Sequence, residues 1–294
     1  MVRTTALITG ASAGIGAAYA EQLAQRGHDL ILVARDAMKL EQVAARIGEM
    51  TDVAIDILRA DLTSGADRAS VERRLREDPG ISILVNNAGV SSNTTILKAD
   101  PDRLEDLIDL NVVALTRLSV AIAPRLAAQG HGAIINLSSV TALIPATFEP
   151  TYLASKAYVL AFSESLAAQL APHGVRVQAV LPGMTRTEIW TKGDHDLNAL
   201  PQNMIMEVGE MVGAALSGFD LGETVTIPSL SDVGQWITFL EARATLQPHL
   251  SRQHAAGRYR VQDWKREHAL DEALEATFPA SDPIAVSGCH PRTP

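Results

Sequence analysis

Ser139, Tyr152 and Lys156 are the residues whose types and spacing could do chemistry. Tyr152 and Lys156 are four apart, so on a helix they stand one turn apart on one face. A free tyrosine titrates near ~10 and is a poor acid or base at neutral pH. An ammonium beside it favours the phenolate and is expected to bring that pKa toward the working range. Ser139 follows the apolar run Ala133-Ile134-Ile135-Asn136-Leu137, which places its hydroxyl at the carboxyl end of a strand, where open α/β sheets put their sites. A hydroxyl, a phenol and an ammonium meeting there would polarise a carbonyl and protonate the alkoxide that forms. The same residues also read as a Tyr and a Lys on an exposed helix face after a Ser-Ser turn. The elements that must position them decide between the two.

Residues 5–9 read as a buried strand, followed by Thr9-Gly10-Ala11-Ser12-Ala13-Gly14-Ile15-Gly16 and a helical run from Ala17 to Arg26. Strand, Gly-rich turn and helix form a phosphate cradle: the glycines let backbone approach a pyrophosphate, and the helix N-terminus offers free N–H groups and a positive dipole end. His28 to Ala34 is the second strand. Arg35 after it is placed to take a 2′-phosphate, which favours NADP(H), while Asp36 is a competing signal for the ribose of NAD(H). Val53 to Leu58 is a third strand, and Asp61-Leu62 beyond it lies where an adenine would rest. Ile81 to Val85 is a fourth strand, ended by Asn86-Asn87-Ala88-Gly89, where small residues would let a cofactor lie against backbone and Asn side chains can tie strands together.

Pro101 to Gln129 reads as one long helix that Asp102 can cap, with the polar Asn111 on its apolar face. Asn111 is either a satisfied core amide or the holder of a water that passes protons from the Lys156 region. After the strand ending at Leu137, the loop 140–151 carries Ile144 and Phe148 as an apolar wall, and Tyr152 to Ala171 is the helix of the Tyr/Lys pair. Val175 to Leu181 is a sixth strand, ending in Pro182-Gly183-Met184-Thr185-Arg186-Thr187. Trp190 and Leu200 follow in a looser stretch that reads as a substrate loop, with Arg186 the one candidate for an anionic substrate group. A short last strand at 224–228 and a helix at 232–246 complete residues 1–250, read as one nucleotide-binding and catalytic domain. Residues 251–294 read as a helical appendage with a tail. The alternating strand–helix rhythm predicts a parallel sheet covered on both faces.

Composition narrows the function. The chain has 294 residues, 47% of them hydrophobic, enough for a large core. A net charge of −9 argues against nucleic acid or an anionic membrane as the main partner. Cys289 is the only cysteine, so no intramolecular disulfide forms, as in a reducing cytoplasm. The N-terminus enters a strand-like run at once, so no secretory signal peptide is expected, and no metal-ligand spacing links the eight histidines.

Four motifs in this order resemble the short-chain dehydrogenase/reductase family in its single-domain branch: Thr9-Gly10-x-x-x-Gly14-x-Gly16, Asn86-Asn87-Ala88-Gly89, Ser139 with Tyr152-x-x-x-Lys156, and Pro182-Gly183 followed by Thr185 and Thr187. The match covers roughly residues 4–230. It implies a doubly wound α/β fold (Rossmann) with seven parallel strands, an Asn111–Ser139–Tyr152–Lys156 tetrad, and hydride transfer between nicotinamide and a carbonyl or secondary alcohol. It implies cofactor contacts from Gly10, Ser12, Ala13, Gly14, Ile15, Gly16, Arg35, Asp61, Leu62, Asn87, Ala88, Gly89, Tyr152, Lys156, Pro182, Gly183, Thr185 and Thr187, and a homo-oligomer, dimer or tetramer. In many members that use NADP a basic residue stands where this chain has Ala13, so Arg35 stands alone here. The apolar Ile144, Phe148, Trp190 and Leu200 lean toward a small, neutral, apolar carbonyl substrate. The rival reading is a dinucleotide-sensing binding protein without catalysis, but such proteins usually lack the Tyr/Lys pair.

Overall fold

The computed structural model describes residues 3–92, 94–144, 149–187, 201–259, 268–269 and 271–272. The strands β1 (Thr5–Thr9), β2 (Asp29–Ala34), β3 (Ile55–Arg59), β4 (Ile81–Asn86), β5 (Gly132–Leu137), β6 (Val175–Val180) and β7 (Val225–Thr226) form one parallel sheet in the order β3-β2-β1-β4-β5-β6-β7. The order reverses between β1 and β4, which opens a crevice beyond their carboxyl ends. β4 is buried along its whole length, as a sheet covered on both faces requires.

Residues of α1 (Gly14–Gln25), α2 (Ala37–Gly48) and α7 (Val208–Asp220) build the apolar core on one face of the sheet. Residues of α3 (Gly65–Glu77), α5 (Leu115–Gln129) and α6 (Pro150–Leu170) build the core on the other. The expected long helix at 101–129 is α4 (Pro101–Ile108), a π-helical turn over Asp109–Ala114, and α5. Its N-cap is Asp100, whose carboxylate accepts from the N–H of Asp102, with Pro101 in the first turn; the expected cap at Asp102 is thus two residues late. The stretch Pro101–Gln129 is, among the described residues, the only helix long and apolar enough to cross a membrane, and half of its most apolar window is buried inside the protein.

The chain divides into two compact units, Met1–Ser231 and Asp232–Pro294. The second contains α8 (Val233–Leu246), so that helix falls with the C-terminal residues, whereas the sequence places the break after 250. Asp232 caps it by accepting from the N–H of Gly234 at 2.8 Å, and Trp236 stacks on Phe239.

A buried polar strut crosses the first unit. Asn86 Nδ2 donates to Asn136 Oδ1 at 2.9 Å and to Ser119 Oγ at 3.0 Å, and Asn136 Nδ2 donates to Ser163 Oγ at 2.9 Å. It ties β4 and β5 to α5 and α6, the four elements whose ends carry the candidate site. Removing one member strands buried partners in a low-dielectric interior. Asn136→Ala is therefore expected to lower unfolding free energy by about 2–3 kcal/mol in urea titrations. A loss below about 0.5 kcal/mol would show that the strut is not structural.

Candidate active site

The crevice between β1 and β4 is lined by backbone because side chains do not fit there. A Cβ on Gly10, which has φ +65°, would meet Asn87 Nδ2 at 2.8 Å. A Cβ on Gly16 would collide with the Gly10 carbonyl oxygen. Asn87 Nδ2 donates to the carbonyls of Thr9 and Gly10, and the Thr9 hydroxyl accepts from the N–H groups of Asn87 and Ala88 at 3.0 Å each. Helix α1 starts after Ala13 with no side-chain cap and no acidic residue in its first turn, whereas α2, α3, α4 and α6 are capped by Asp36, Ser64, Asp100 and Glu149. Its first N–H groups, around Gly14, Ile15 and Gly16 and next to Ser12 and Ala13, fit a pyrophosphate without competition. From across the turn, Thr187 Cγ2 lies 3.5 Å from the Cβ position of Gly14.

At the carboxyl ends of β2 and β3, Asp36 accepts from the N–H of Lys39 at 3.1 Å and so caps α2. Arg35 is left at the turn with its side chain 68% exposed and 3.8 Å from Asp61. The Asp61 carboxylate also accepts from the N–H and hydroxyl of Thr63. Burial works against its charge, but the Thr63 hydrogen bonds and Arg35 outweigh burial and hold its pKa low. Leu62 is buried in the core.

At the other end the candidate tetrad converges. Asn111 sits inside the π turn, a local widening often found at functional sites. Its amide accepts from the Val90 N–H and donates to the Val90 carbonyl, both at 2.9 Å, and donates to Ser155 Oγ at 3.1 Å. It therefore clamps the segment that follows Asn87-Ala88-Gly89. A Cβ on Gly89 would stand 3.0 Å from Asn111 Oδ1 and 3.6 Å from Lys156 Nζ, so this glycine brings the β4 loop against both.

Lys156 is buried, and its ammonium donates to the Leu137 carbonyl at 2.9 Å. Burial lowers its pKa from 10.5 to about 8. Its Nζ is 5.8 Å from the centre of the Tyr152 ring. Burial raises the Tyr152 pKa, and a hydrogen bond with Ser139 draws it partly back. The sequence expects the ammonium to lower the phenol, whereas here the ammonium bonds the Leu137 carbonyl and burial moves the phenol up.

Of the expected apolar wall, Ile144 is 48% exposed at the end of the 3-10 turn Val140–Leu143, while Phe148, Trp190 and Leu200 lie outside the described residues. Pro182 accepts from the Val140 N–H at 3.1 Å, and Thr185 donates to the Gly183 carbonyl at 3.1 Å, so this loop is tied to the Ser139 turn. Arg186, the candidate for an anionic substrate, is engaged instead: it pairs with Glu207 at 2.7 Å and bonds Gln202 at 3.1 Å.

Sequence reasoning missed three supports. Glu149 caps α6, accepting from the N–H groups of Thr151 and Tyr152 at 2.9 and 2.8 Å. Ser155 donates to the Tyr152 carbonyl, and Ser138 donates to the Lys156 carbonyl. An acidic residue directly before Pro150 was the available signal for the first.

Residues 4–198 match the family model described as short chain dehydrogenase. The chain belongs to the short-chain dehydrogenase family. A short-chain dehydrogenase from Sphingobium yanoikuyae in complex with NADPH is 49% identical, with a TM-score of 0.84 over 87% of this chain and 100% of that one. The bulky-bulky ketone specific alcohol dehydrogenase from Comamonas testosteroni is 45% identical, with a TM-score of 0.81 over 88% of this chain and 99% of that one. An uncharacterized oxidoreductase of Staphylococcus saprophyticus is 35% identical over 66% of this chain and 82% of its own length. Of several other curated relatives the chain spans only 56–60% of their length.

The buried Lys156 makes stability depend on pH. Its pKa is about 8 in the folded state against 10.5 when free, so between those values the unfolded chain binds more protons and stability rises with pH. Below pH 8 the burial penalty is present in full, and it vanishes above 10.5. Unfolding free energies measured from pH 7 to 10 should rise for the wild type relative to Lys156→Met by about 2–3 kcal/mol. A constant difference across that range would contradict the buried ammonium.

Proposed function

We propose that this chain is an NADP(H)-dependent oxidoreductase that reduces a neutral ketone with bulky apolar substituents, or runs the reverse reaction. The observation that carries this reading is Asn111 and Lys156 packed against Gly89, with Lys156 Nζ 5.8 Å from the Tyr152 ring and Ser139 bonded to Tyr152, next to a backbone cradle that suits a phosphate-bearing ligand. A nicotinamide bound there supplies or accepts the hydride. Ser139 holds the carbonyl oxygen by donating its hydroxyl proton to a hydrogen bond, and Tyr152 gives its phenolic proton to the same oxygen as charge develops. A phenol that stays protonated at neutral pH is the form needed for reduction. Lys156 and Asn111 stand behind it, one to resupply the proton and one to hold the β4 loop.

Three observations favour NADP(H). Arg35 is exposed at the end of β2, Asp36 is committed to capping α2, and a relative at 49% identity was solved with NADPH. A neutral substrate agrees with Arg186 being held by Glu207 and Gln202, and with the ketone preference printed for the Comamonas testosteroni relative. Exposed Ile108, Val120 and Tyr158 on the α4–α6 layer support a homo-oligomer.

With a bulky neutral ketone, NADPH is expected to be oxidised at least tenfold faster than NADH, on the order of one to two kcal/mol for a charge-assisted phosphate contact. Tyr152→Phe should keep NADPH affinity within about twofold and lose at least 10²-fold in kcat, the usual size of a general acid's contribution. If Tyr152→Phe stays within several-fold of the wild type, the mechanism is wrong. Faster turnover with NADH would reassign the cofactor.

A further inference from the structure

The end of β3 carries a guanidinium beside the turn after β2 that has no assigned role. β2 and β3 run in register with Ala34 opposite Arg59, so Arg59 ends its strand beside the residue that precedes Arg35. Along β3, Ile55 and Ile57 pack toward the layer of α1 and α2, and Leu58 toward the other layer. Alternation then puts Arg59 on the α1–α2 side, the side from which the first turn of α2 leaves. Its Nε donates to the Arg35 carbonyl at 3.2 Å. Among the described residues this is its only hydrogen bond, and no carboxylate pairs with it.

An exposed guanidinium held only by a main-chain carbonyl is open to an anionic ligand. Arg35 and Arg59 stand at the ends of adjacent strands in a chain whose net charge is −9, where carboxylate partners are abundant. The acidic groups nearby are already engaged. Asp36 caps α2, and Asp61 accepts from Thr63 and faces Arg35 at 3.8 Å. A phosphate monoester has three acceptor oxygens and close to two negative charges, so it can take both forks at once.

We propose that Arg59 is a specificity-determining residue of the cofactor site, the second cation on the 2′-phosphate of the adenosine. This rests on the NADP(H) reading above and adds a residue to it. The two arginines grip the phosphate from adjacent strands: Arg35 from the end of β2 and Arg59 from the end of β3, steered by the Arg35 carbonyl that holds its Nε. The missing basic residue at Ala13 is thereby replaced from the end of β3.

Calorimetric binding of adenosine 2′,5′-bisphosphate and of AMP, which differ only in the 2′-phosphate, separates the possibilities. The wild type should prefer the bisphosphate, and the preference should shrink as salt rises. Arg59→Gln should cut that preference about five- to tenfold while leaving AMP affinity unchanged, which also reports an intact fold. Arg59→Glu should cut it further. If the wild type prefers the bisphosphate and Arg59→Gln prefers it equally, Arg59 plays no part and the NADP(H) reading stands. If the wild type shows no preference, the NADP(H) reading falls and this inference with it.

Discussion

A buried ammonium is the constraint around which the site is built. Lys156 carries its charge into an interior position, where an unpaired cation is costly, and the main-chain carbonyl of Leu137 receives it at 2.9 Å. That carbonyl is available because β5 ends there and Ser138 begins the turn toward Ser139. Ser138 in turn donates to the Lys156 carbonyl, so the strand end and the helix hold each other at both the main chain and the side chain. The polar strut from Asn86 through Asn136 to Ser163 fixes the same two elements from below. The burial that depresses the Lys156 pKa also raises that of Tyr152, leaving a neutral-pH pair of phenol and ammonium rather than phenolate and ammonium.

The second constraint is closeness of backbone. Gly10, Gly16 and Gly89 are positions where a methyl group would strike Asn87, a carbonyl or Asn111. The glycine turn, the Asn87 clamp and the candidate tetrad are therefore one packed assembly across β1, β4 and α6, and the distance from the turn to Tyr152 is set by contacts rather than by flexible side chains. Preorganisation of this kind is what lets a cofactor present its reactive atom to a fixed acid.

Much of this was legible in the sequence because it is local. Strand and helix periods, the glycine turn and the Tyr/Lys spacing all act within a few residues, and the sheet and its crevice followed from them. What stayed hidden depends on geometry that spacing and composition do not carry. Asp36 competes in the sequence as a ribose ligand, and its bond to Lys39 makes it the cap of α2. Arg186 read as a free cation because Glu207 lies in the next helix start. The π turn at Asn111 adds no composition signal to an apolar helix. The lowered phenol expected from the Tyr152–Lys156 spacing failed because four-residue spacing gives a shared face but not the rotamer that chose Leu137.

The central claim, that this crevice passes a hydride from NADPH to a neutral carbonyl carbon, is tested most directly with isotope. The protein is incubated with NADPH deuterated at the transferable C4 position and a panel of bulky neutral ketones, and the products are read by mass spectrometry. The account predicts deuterium on the carbinol carbon of at least one alcohol product, in step with cofactor oxidation. Tight NADPH binding with every ketone recovered unchanged would contradict it and leave a binding protein in this fold.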